Sequence, residues 1–317
     1  MSLIEQAASR LEQLRKAGVD IPLDTQSVPV QQEARQEPAG SAGQGRASRS
    51  AAVPATDVRS KQVTLPLDEL GARGFITPKT PRTQVADEFR VIKRPLIDNA
   101  MGKGAAPVAK GNLIMVTSAV PGEGKTFTAI NLAMSIAMEL DTTVMLVDAD
   151  VANPSIFRVL GLPPGAGLLD VLARDSLDLA DVLLKTDVDK LTLLPAGTQH
   201  PRATELLASE AMARLLEDMA RRYDDRVIIF DSPPLLVTTE ARELATHMGQ
   251  IVMVTRAEKT LHGQVTQALA AIESCPVKMM VLNQATRDPM GSYGYGYGYG
   301  YGYGYGYGKR GDKTDEH

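Results

Sequence analysis

A glycine-rich loop separates a short apolar run from a segment with helical character. The apolar run is Leu113–Thr117, and the loop reads Ser-Ala-Val-Pro-Gly-Glu-Gly-Lys-Thr from Ser118 to Thr126. Glycines let backbone N–H groups approach phosphate oxygens, and the positive N-terminal end of the following helix attracts the same charge. Strand, loop and helix in this order predict a P-loop within an α/β domain, rather than an ordinary glycine-rich turn.

The residue types in this loop predict which groups bind a nucleoside triphosphate, which we expect to be ATP with Mg²⁺. Lys125 would reach the β- and γ-phosphates, and the Thr126 hydroxyl would ligate the metal. Ala119 stands where such loops usually have their first glycine. The residues expected to contact the nucleotide are Pro121, Gly122, Glu123, Gly124, Lys125, Thr126 and Phe127.

Short apolar runs alternate with amphipathic segments from about residue 83 onward. The runs are apolar throughout, as is typical of parallel strands with helices on both faces. The pattern therefore predicts a doubly wound α/β domain with a mostly parallel sheet. Predicted strands are Leu113–Thr117, Thr143–Val147, Leu191–Leu194, Val227–Phe230, Ile251–Thr255 and Val277–Leu282, and predicted helices are 125–139, 204–222, 238–247 and 260–273.

Three aspartates directly follow two of these strands. Asp148 and Asp150 follow the second predicted strand and Asp231 follows the fourth, so all three are expected at the sheet edge where the P-loop lies. Because Mg²⁺ takes oxygen ligands, we predict that it is bound by Thr126, Asp150 and Asp231. Catalytic roles are predicted for Lys125 and for all three aspartates. Which of Asp148 and Asp150 is the base for an incoming hydroxyl stays open, and a single Asp at such a place is often only a helix cap.

The composition excludes several other classes of site. The chain has 317 residues and a formal net charge of −4, whereas direct nucleic-acid binding calls for a basic surplus. Cys275 is the single cysteine, which rules out an internal disulfide and predicts a reducing cytoplasm. No run approaches the roughly 18 apolar residues of a membrane helix, so no membrane span is predicted.

Composition also divides the chain into three predicted regions. Residues 1–82 comprise an amphipathic helix at 2–17 and a linker at 20–80 that is rich in Gln, Ala, Ser, Pro and Arg and is predicted to be mostly disordered, with no core of its own. Residues 83–288 form the predicted P-loop domain, and residues 289–317 form a flexible tail. The N-terminal helix is either a docking element for a partner or a solvated helix.

Tyrosine and glycine alternate without interruption through much of the tail. Glycine at every second position leaves too few side chains for a core and makes ordering costly in entropy, so the segment is predicted to be exposed. Exposure suits either a substrate segment or a low-complexity segment that associates with itself by stacking. The eight tyrosines are Tyr293, Tyr295, Tyr297, Tyr299, Tyr301, Tyr303, Tyr305 and Tyr307.

Several runs together resemble the bacterial tyrosine kinases, which are P-loop autokinases found with exopolysaccharide and capsule synthesis machinery. The run VMLVDADVANPS has Asp148 and Asp150 at the positions of that family's second Walker A element, and FDSPPLL resembles its Walker B element. LLPAGTQHPRATELL resembles a loop between a core strand and a helix, and VLNQ, which contains Asn283, resembles the adenine-side segment. The likeness extends over about residues 83–307, and the chain looks most like the separately encoded, exosortase-associated branch.

This resemblance implies a Mg·ATP-dependent kinase with a MinD/ParA-like P-loop fold that phosphorylates its own tail tyrosines in trans within an oligomer. It also implies that Asn283 contacts the nucleotide, and that the kinase regulates exopolysaccharide chain length or export. The implied partner is the cytoplasmic segment of a membrane polysaccharide co-polymerase, which would activate the kinase and recruit it to the inner face of the cell membrane.

This sequence departs from the family pattern at two places, and these departures affect which of the family's functional residues can be assigned here. Ala152 stands where many members have Arg, two positions after the second aspartate. The family's oligomerisation element, Glu-x-x-Arg-x-x-Arg, reads Asp87-x-x-Arg90-x-x-Lys93 here. Because the charge signs are preserved, Asp87, Arg90 and Lys93 are predicted at a ring-like subunit interface, although lysine lacks the bidentate geometry of arginine. The alternative is a solvated helix face.

The alternative function is an ATP-dependent assembly switch similar to the ParA and MinD ATPases, acting on a membrane partner. Such a switch would bind or slowly hydrolyse ATP and leave the tail unmodified. A DNA-positioning or division-positioning ATPase is a third interpretation. The acidic composition and the absence of a lysine between Ser118 and Gly122 disfavour it.

Overall fold

A computed structural model describes residues 61–286, apart from residues 80, 81, 175 and 224. The predicted N-terminal helix, the linker up to residue 60 and the tyrosine-rich tail lie outside the described residues. The described part contains one sheet of eight strands. The strands are β1 Lys61–Val63, β2 Leu113–Ser118, β3 Thr143–Asp148, β4 Leu184–Thr186, β5 Leu191–Leu194, β6 Arg226–Asp231, β7 Gln250–Arg256 and β8 Val277–Asn283.

Ten helices of very different lengths accompany these strands in the described ranges. They are α1 Leu67–Ala72, α2 Gln84–Ala100, α3 Lys125–Ala137, α4 Ile156–Val159, α5 Leu168–Ala173, α6 Leu179–Val182, α7 Ala203–Leu207, α8 Glu210–Arg222, α9 Thr239–Thr246 and α10 His262–Ala271. None of them is long and apolar enough to cross a membrane.

The sheet is mostly parallel, as predicted. Its strand order is β1-β4-β5-β3-β6-β2-β7-β8, and only the β4–β5 pair is antiparallel. All six predicted strands are present, most of them longer by a residue or two. The helix predicted over residues 204–222 is divided into α7 and α8, because the Ser209 hydroxyl accepts a hydrogen bond from the Met212 N–H at 3.2 Å and starts a new helix.

Helices cover both faces of the sheet, which explains why the central strands are apolar throughout. Along β2, Ile114 and Val116 face one core and Leu113 and Met115 face the other, and all four are fully buried. Side chains of successive strand residues point to opposite faces, so a strand between two helical layers needs an apolar residue at every position.

Residues 61–79, named here the N-terminal strap, belong to the folded domain, so the prediction of a disordered linker is wrong for this segment. β1 pairs with β4, and Leu70 is completely buried. The Leu65 N–H donates to Asp187 Oδ1 at 2.8 Å, and the Ile76 N–H donates to Asn131 Oδ1 at 2.7 Å. The strap has few apolar residues, but nearly all of them are buried in the same core as α2 and α3.

Candidate active site

Three sheet strands end at one crevice. β6 lies between β2, which leads into the P-loop, and β3, which leads into the two aspartates. Asp148 and Asp231 are register partners at the last position of β3 and β6. The carboxyl ends of neighbouring parallel strands are where ligands bind in open α/β sheets, so the structure brings the predicted aspartates and the P-loop to one site.

The P-loop is held in shape by the end of strand β8. Gly122 and Gly124 have φ values of 82° and 97°, which L side chains rarely adopt. A Cβ on Gly124 would lie 2.0 Å from the side-chain nitrogen of Asn283. That nitrogen donates a 2.9 Å hydrogen bond to the Glu123 carbonyl, so Asn283 braces the loop.

Two residues predicted to contact the nucleotide use their side chains within the protein. The buried Glu123 carboxylate accepts a hydrogen bond from the Val120 N–H at 2.8 Å, and its other oxygen accepts one from the Thr260 hydroxyl. The Phe127 ring lies 5.1 Å from the Phe75 ring of the N-terminal strap, measured between centroids. Only the backbone N–H groups of Glu123 and Phe127 are therefore left for a phosphate.

The two polar side chains that begin α3 both contact the segment after β3. Lys125 Nζ lies 2.8 Å from Asp150 Oδ2, and both side chains are largely buried. The Thr126 hydroxyl and the Ser155 hydroxyl are 3.0 Å apart. The lysine predicted to bind phosphate and the threonine predicted to bind the metal therefore face the segment that contains the aspartate pair.

Asp148 has one satisfied and one unsatisfied carboxylate oxygen. Its Oδ2 accepts hydrogen bonds from the N–H groups of Ser155 and Ile156 at 3.1 and 3.0 Å. Its Oδ1 is buried without a hydrogen-bond partner among the described residues. Burial, helped by the negative charge of Asp231, raises the pKa of Asp148 to about 7.

Asp231 is completely buried at the end of β6, and neither of its oxygens has a partner that meets hydrogen-bond geometry within the described part of the chain. Burial raises the pKa of Asp231 to about 6, although the charge of Lys125 and the nearby Thr126 hydroxyl act in the opposite direction. A buried carboxylate without partners is costly, because nothing replaces its lost hydration.

These unsatisfied oxygens fit the requirements of a magnesium ion with phosphates. Among residues 61–286, no three His, Cys, Asp or Glu side chains are grouped closely enough to hold a metal by themselves. Mg²⁺ does not need such a group, because it usually takes one or two carboxylates and completes its shell with water and phosphate oxygens. The two partnerless oxygens of Asp231 beside the P-loop match that donor set, and Oδ1 of Asp148 stays open beside them.

The predicted oligomerisation residues do not all face outward. Asp87 and Arg90 form an ion pair on the exposed side of α2. Lys93 is buried, with its Nζ 2.6 Å from both Glu139 Oε1 and the Ser135 carbonyl oxygen. The prediction that Lys93 lies at a subunit interface is therefore wrong: the amine fills the space between α2 and the end of α3, and it is not available to a neighbouring subunit.

Sequence reasoning missed the residues that support the site from outside. Ser155 was not singled out, although it follows the aspartate pair closely and its hydroxyl meets that of Thr126. Asn131 bonds both to the Ile76 N–H and, through Nδ2, to the Phe127 carbonyl at 2.9 Å. An amide side chain in the middle of the mostly apolar helix α3 was the available signal for Asn131.

Comparison with known proteins identifies the family. A model of the family described as "AAA domain" matches residues 111–281, which is more than half of the chain. Tyrosine-protein kinase YwqD of Bacillus subtilis (strain 168) is 30% identical over 224 residues, covering 70% of this chain and 90% of that protein. The chain belongs to the bacterial tyrosine-protein kinases.

Two further members of the family agree with this assignment. Tyrosine-protein kinase wzc of Salmonella typhimurium (strain LT2) is 32% identical over 185 residues, covering 58% of this chain but 25% of that protein. The kinase domain of Escherichia coli tyrosine kinase ETK superposes with a TM-score of 0.58 at 26% identity, covering 76% of this chain and 95% of that domain. The chain thus matches nearly the whole of some family members and about a quarter of others.

Proposed function

We propose that this kinase uses Mg·ATP to phosphorylate the tyrosines of its own C-terminal tail. The observation that carries the proposal is the position of β8: its last residue, Asn283, is hydrogen-bonded to the P-loop at the Glu123 carbonyl. Tyr293, the first tyrosine of the tail, is ten residues further along the chain. The last strand before the substrate segment therefore ends beside the loop that would hold the phosphates.

Each polar group at the site has a proposed role toward the nucleotide. Lys125 would exchange its bond to Asp150 for one to the β- and γ-phosphates, while the N-terminal backbone of α3 cradles them. Thr126, Asp150 and Asp231 would hold Mg²⁺, directly or through water. The bound metal would neutralise phosphate charge during transfer.

In the proposed reaction, the phenolic oxygen of a tyrosine forms a bond to the γ-phosphorus, and the bond from that phosphorus to the β,γ-bridging oxygen breaks. ADP leaves, and the phenolic proton passes to an aspartate. Asp148 is the better candidate base, because its Oδ1 is unpartnered while Ser155 and Ile156 fix the other oxygen. Asp150, in contrast, would bind Mg²⁺ once Lys125 has exchanged it for the phosphates.

We further propose that transfer occurs in trans, within an oligomer to which Asp87 and Arg90 contribute. Reach alone does not decide this question. The ten residues from Asn283 to Tyr293 can span about 33 Å, whereas four strand spacings, from β8 to β6 and β3, amount to roughly 20 Å.

Transfer in trans is tested by mixing two variant chains, neither of which can phosphorylate itself. A full-length Lys125→Met chain has a complete tail but lacks the phosphate-binding lysine, and a chain ending at Gly291 has the site but no tail tyrosine. Incubated together with Mg·ATP, they should give phosphate on the Lys125→Met tail, detected by intact mass. If the full wild-type chain modifies itself but this mixture does not react, transfer is in cis.

The biological role proposed for this kinase is the control of exopolysaccharide chain length or export, with the cytoplasmic segment of a membrane polysaccharide co-polymerase as activator. The relatives named as tyrosine-protein kinases support the enzyme class, and the polysaccharide role follows from the resemblance. Replacing all eight tail tyrosines with phenylalanine in the producing cell should change polymer length or yield. An unchanged polymer would contradict this role while leaving the kinase reaction itself intact.

A further inference from the structure

A cavity adjoins the candidate active site next to the residues that follow Asp150. Its volume is about 480 Å³, and its lining includes Val151 and Ala152, which directly follow Asp150. The opposite walls come from the loop after β5, with Gln199 and His200, and from Thr204 and Glu240 at the beginnings of α7 and α9. Asp150, which is paired with Lys125, therefore directly precedes two residues of the cavity wall.

The charge of the cavity is negative. Burial would raise the pKa of Glu240, but hydrogen bonds, chiefly from the Thr204 hydroxyl at 2.6 Å, hold it below its usual value, so the side chain is a carboxylate at neutral pH. None of the described lining residues is Lys or Arg. Of the nearby cations, Arg202 is exposed, and the Arg242 side chain donates to the Leu235 carbonyl at 2.9 Å.

His200 supplies a hydrogen-bond donor to the same cavity. Its Nδ1 accepts a hydrogen bond from the Arg202 N–H at 3.1 Å. An imidazole nitrogen that accepts a hydrogen bond has no proton, so the neutral ring has its proton on Nε2. His200 can therefore donate to a phenolic oxygen, but it is not suited to remove the phenolic proton.

We propose that this cavity receives the phenol side chain of the substrate tyrosine, and that Glu240 makes it favour the unmodified tyrosine over the phosphorylated product. A neutral phenol can donate a hydrogen bond to the Glu240 carboxylate and accept one from His200 Nε2. A phosphotyrosine bears about −1.5 to −2 charges and meets repulsion from Glu240. Release of the product would then free the site for the next tyrosine of the repeat.

Because this role presupposes the proposed kinase reaction, its test measures binding and does not depend on transfer. The protein is the full chain with the eight tail tyrosines replaced by serine, so that its own tail does not compete. The probes are the fluorescent peptide Gly-Ser-Gly-Tyr-Gly-Ser-Gly and its phosphotyrosine form, titrated in Mg·ADP. Glu240→Gln removes the charge, and Glu243→Gln, an exposed glutamate of the same helix that does not line the cavity, is the matched control.

We expect the unmodified protein to bind the tyrosine peptide at least about fivefold more tightly than the phosphopeptide, which corresponds to a repulsion of about 1 kcal/mol. Glu240→Gln should bring the two affinities close together, and Glu243→Gln should leave the preference as it was. The proposal would be overturned by an unchanged preference in Glu240→Gln. It would equally be overturned if the serine-tail chain with Glu240 intact bound neither peptide. Phosphate transfer by the wild-type chain, followed in parallel by intact mass, reports the kinase reaction separately.

The histidine is tested with a peptide that lacks the hydroxyl. His200→Ala should weaken binding of the tyrosine peptide severalfold and leave binding of the same peptide with phenylalanine nearly unchanged, since only the former loses a hydrogen bond. Equal losses for both peptides would mean that His200 only shapes the loop.

Discussion

The Nζ of Lys125 lies 2.8 Å from Oδ2 of Asp150, so the lysine predicted to bind phosphate is paired with a carboxylate. This pair makes binding an exchange: the phosphates of ATP must replace Asp150 as the partner of the lysine. The pair also keeps Lys125 pointed into the site, since both side chains are mostly buried. A charge-assisted bond of this kind is worth about 1.5–3 kcal/mol in general.

The exchange predicts opposite effects of Asp150→Asn on binding and on transfer. In EDTA, where no metal can use the carboxylate, ATP should bind about three- to tenfold more tightly, because a competing negative charge is gone. In Mg²⁺, phosphate transfer should fall by about a hundredfold or more, because a proposed metal ligand is lost. Calorimetric titration and phosphotyrosine yield measure the two effects, and weaker ATP binding in EDTA would contradict the exchange.

The raised pKa values of Asp148 and Asp231 predict that the protein without nucleotide becomes less stable as pH rises. In the folded state their pKa values are about 7 and about 6, compared with the ordinary value of 3.8. Between these limits the folded state binds more protons than the unfolded state, so the free energy of unfolding falls as pH increases from about 4 to about 7, by at most about 6 kcal/mol.

Asp148→Asn isolates this effect, because the amide oxygen can still accept the bonds from Ser155 and Ile156. The stability of the variant relative to wild type should rise from about pH 5 to about pH 8 in EDTA, and Mg·ATP should diminish the difference. Urea denaturation across this range is the measurement. Parallel pH profiles for the two proteins would show that Asp148 keeps an ordinary pKa.

The N-terminal strap predicts where the folded domain begins. A chain starting at residue 61 should be as stable as the full chain, whereas one starting at residue 83 should lose on the order of 5 kcal/mol or more, since burying each large apolar side chain contributes roughly 1.5–3 kcal/mol. Phe75→Ala alone should cost about 3 kcal/mol, and Phe75→Leu clearly less. Equal stability of the two truncated chains would mean that the strap is not part of the folded unit.

The strap also shows the limit of reading this fold from sequence. The central strands were predictable because every residue of runs such as Val227–Phe230 is apolar. In the strap, buried residues such as Leu65, Leu70 and Ile76 are separated by polar ones, so no period of two or of 3.6 emerges. Its order comes from tertiary contacts, among them the bond from the Ile76 N–H to Asn131.

The same distinction holds within the site. Lys125, Asp148, Asp150 and Asp231 were predictable because a P-loop and strand-end carboxylates have a chemical reason to stand there. Whether a particular side chain faces solvent or a neighbouring helix depends on packing that the sequence pattern does not reveal. Lys93 illustrates this, because it keeps the charge expected of an interface residue but is held inside the chain by Glu139.

The two basic residues of α2 are therefore predicted to have different roles. Lys93→Ala should destabilise the fold by about 3 kcal/mol or more, because it removes the buried cation that is paired with the half-buried Glu139 at 2.6 Å. Arg90→Ala should change stability by less than about 1 kcal/mol, since its pair with Asp87 is exposed.

Assembly separates the two substitutions further. If Asp87 and Arg90 contribute to a subunit interface, Arg90→Ala should lower the sedimentation mass of the protein while leaving its fold intact. An unchanged mass, or an equally large loss of stability in both variants, would contradict this division of roles.

The most direct test of the kinase proposal is the intact mass of the purified, phosphatase-treated protein before and after Mg·ATP. We expect the mass to increase by whole numbers of phosphate groups, up to eight for the eight tail tyrosines. These additions should be absent in Lys125→Met and in the chain ending at Gly291. If no phosphate is added even with the cytoplasmic segment of the candidate co-polymerase present, while ATP still binds, the protein is an ATP-dependent switch and the autokinase proposal is wrong.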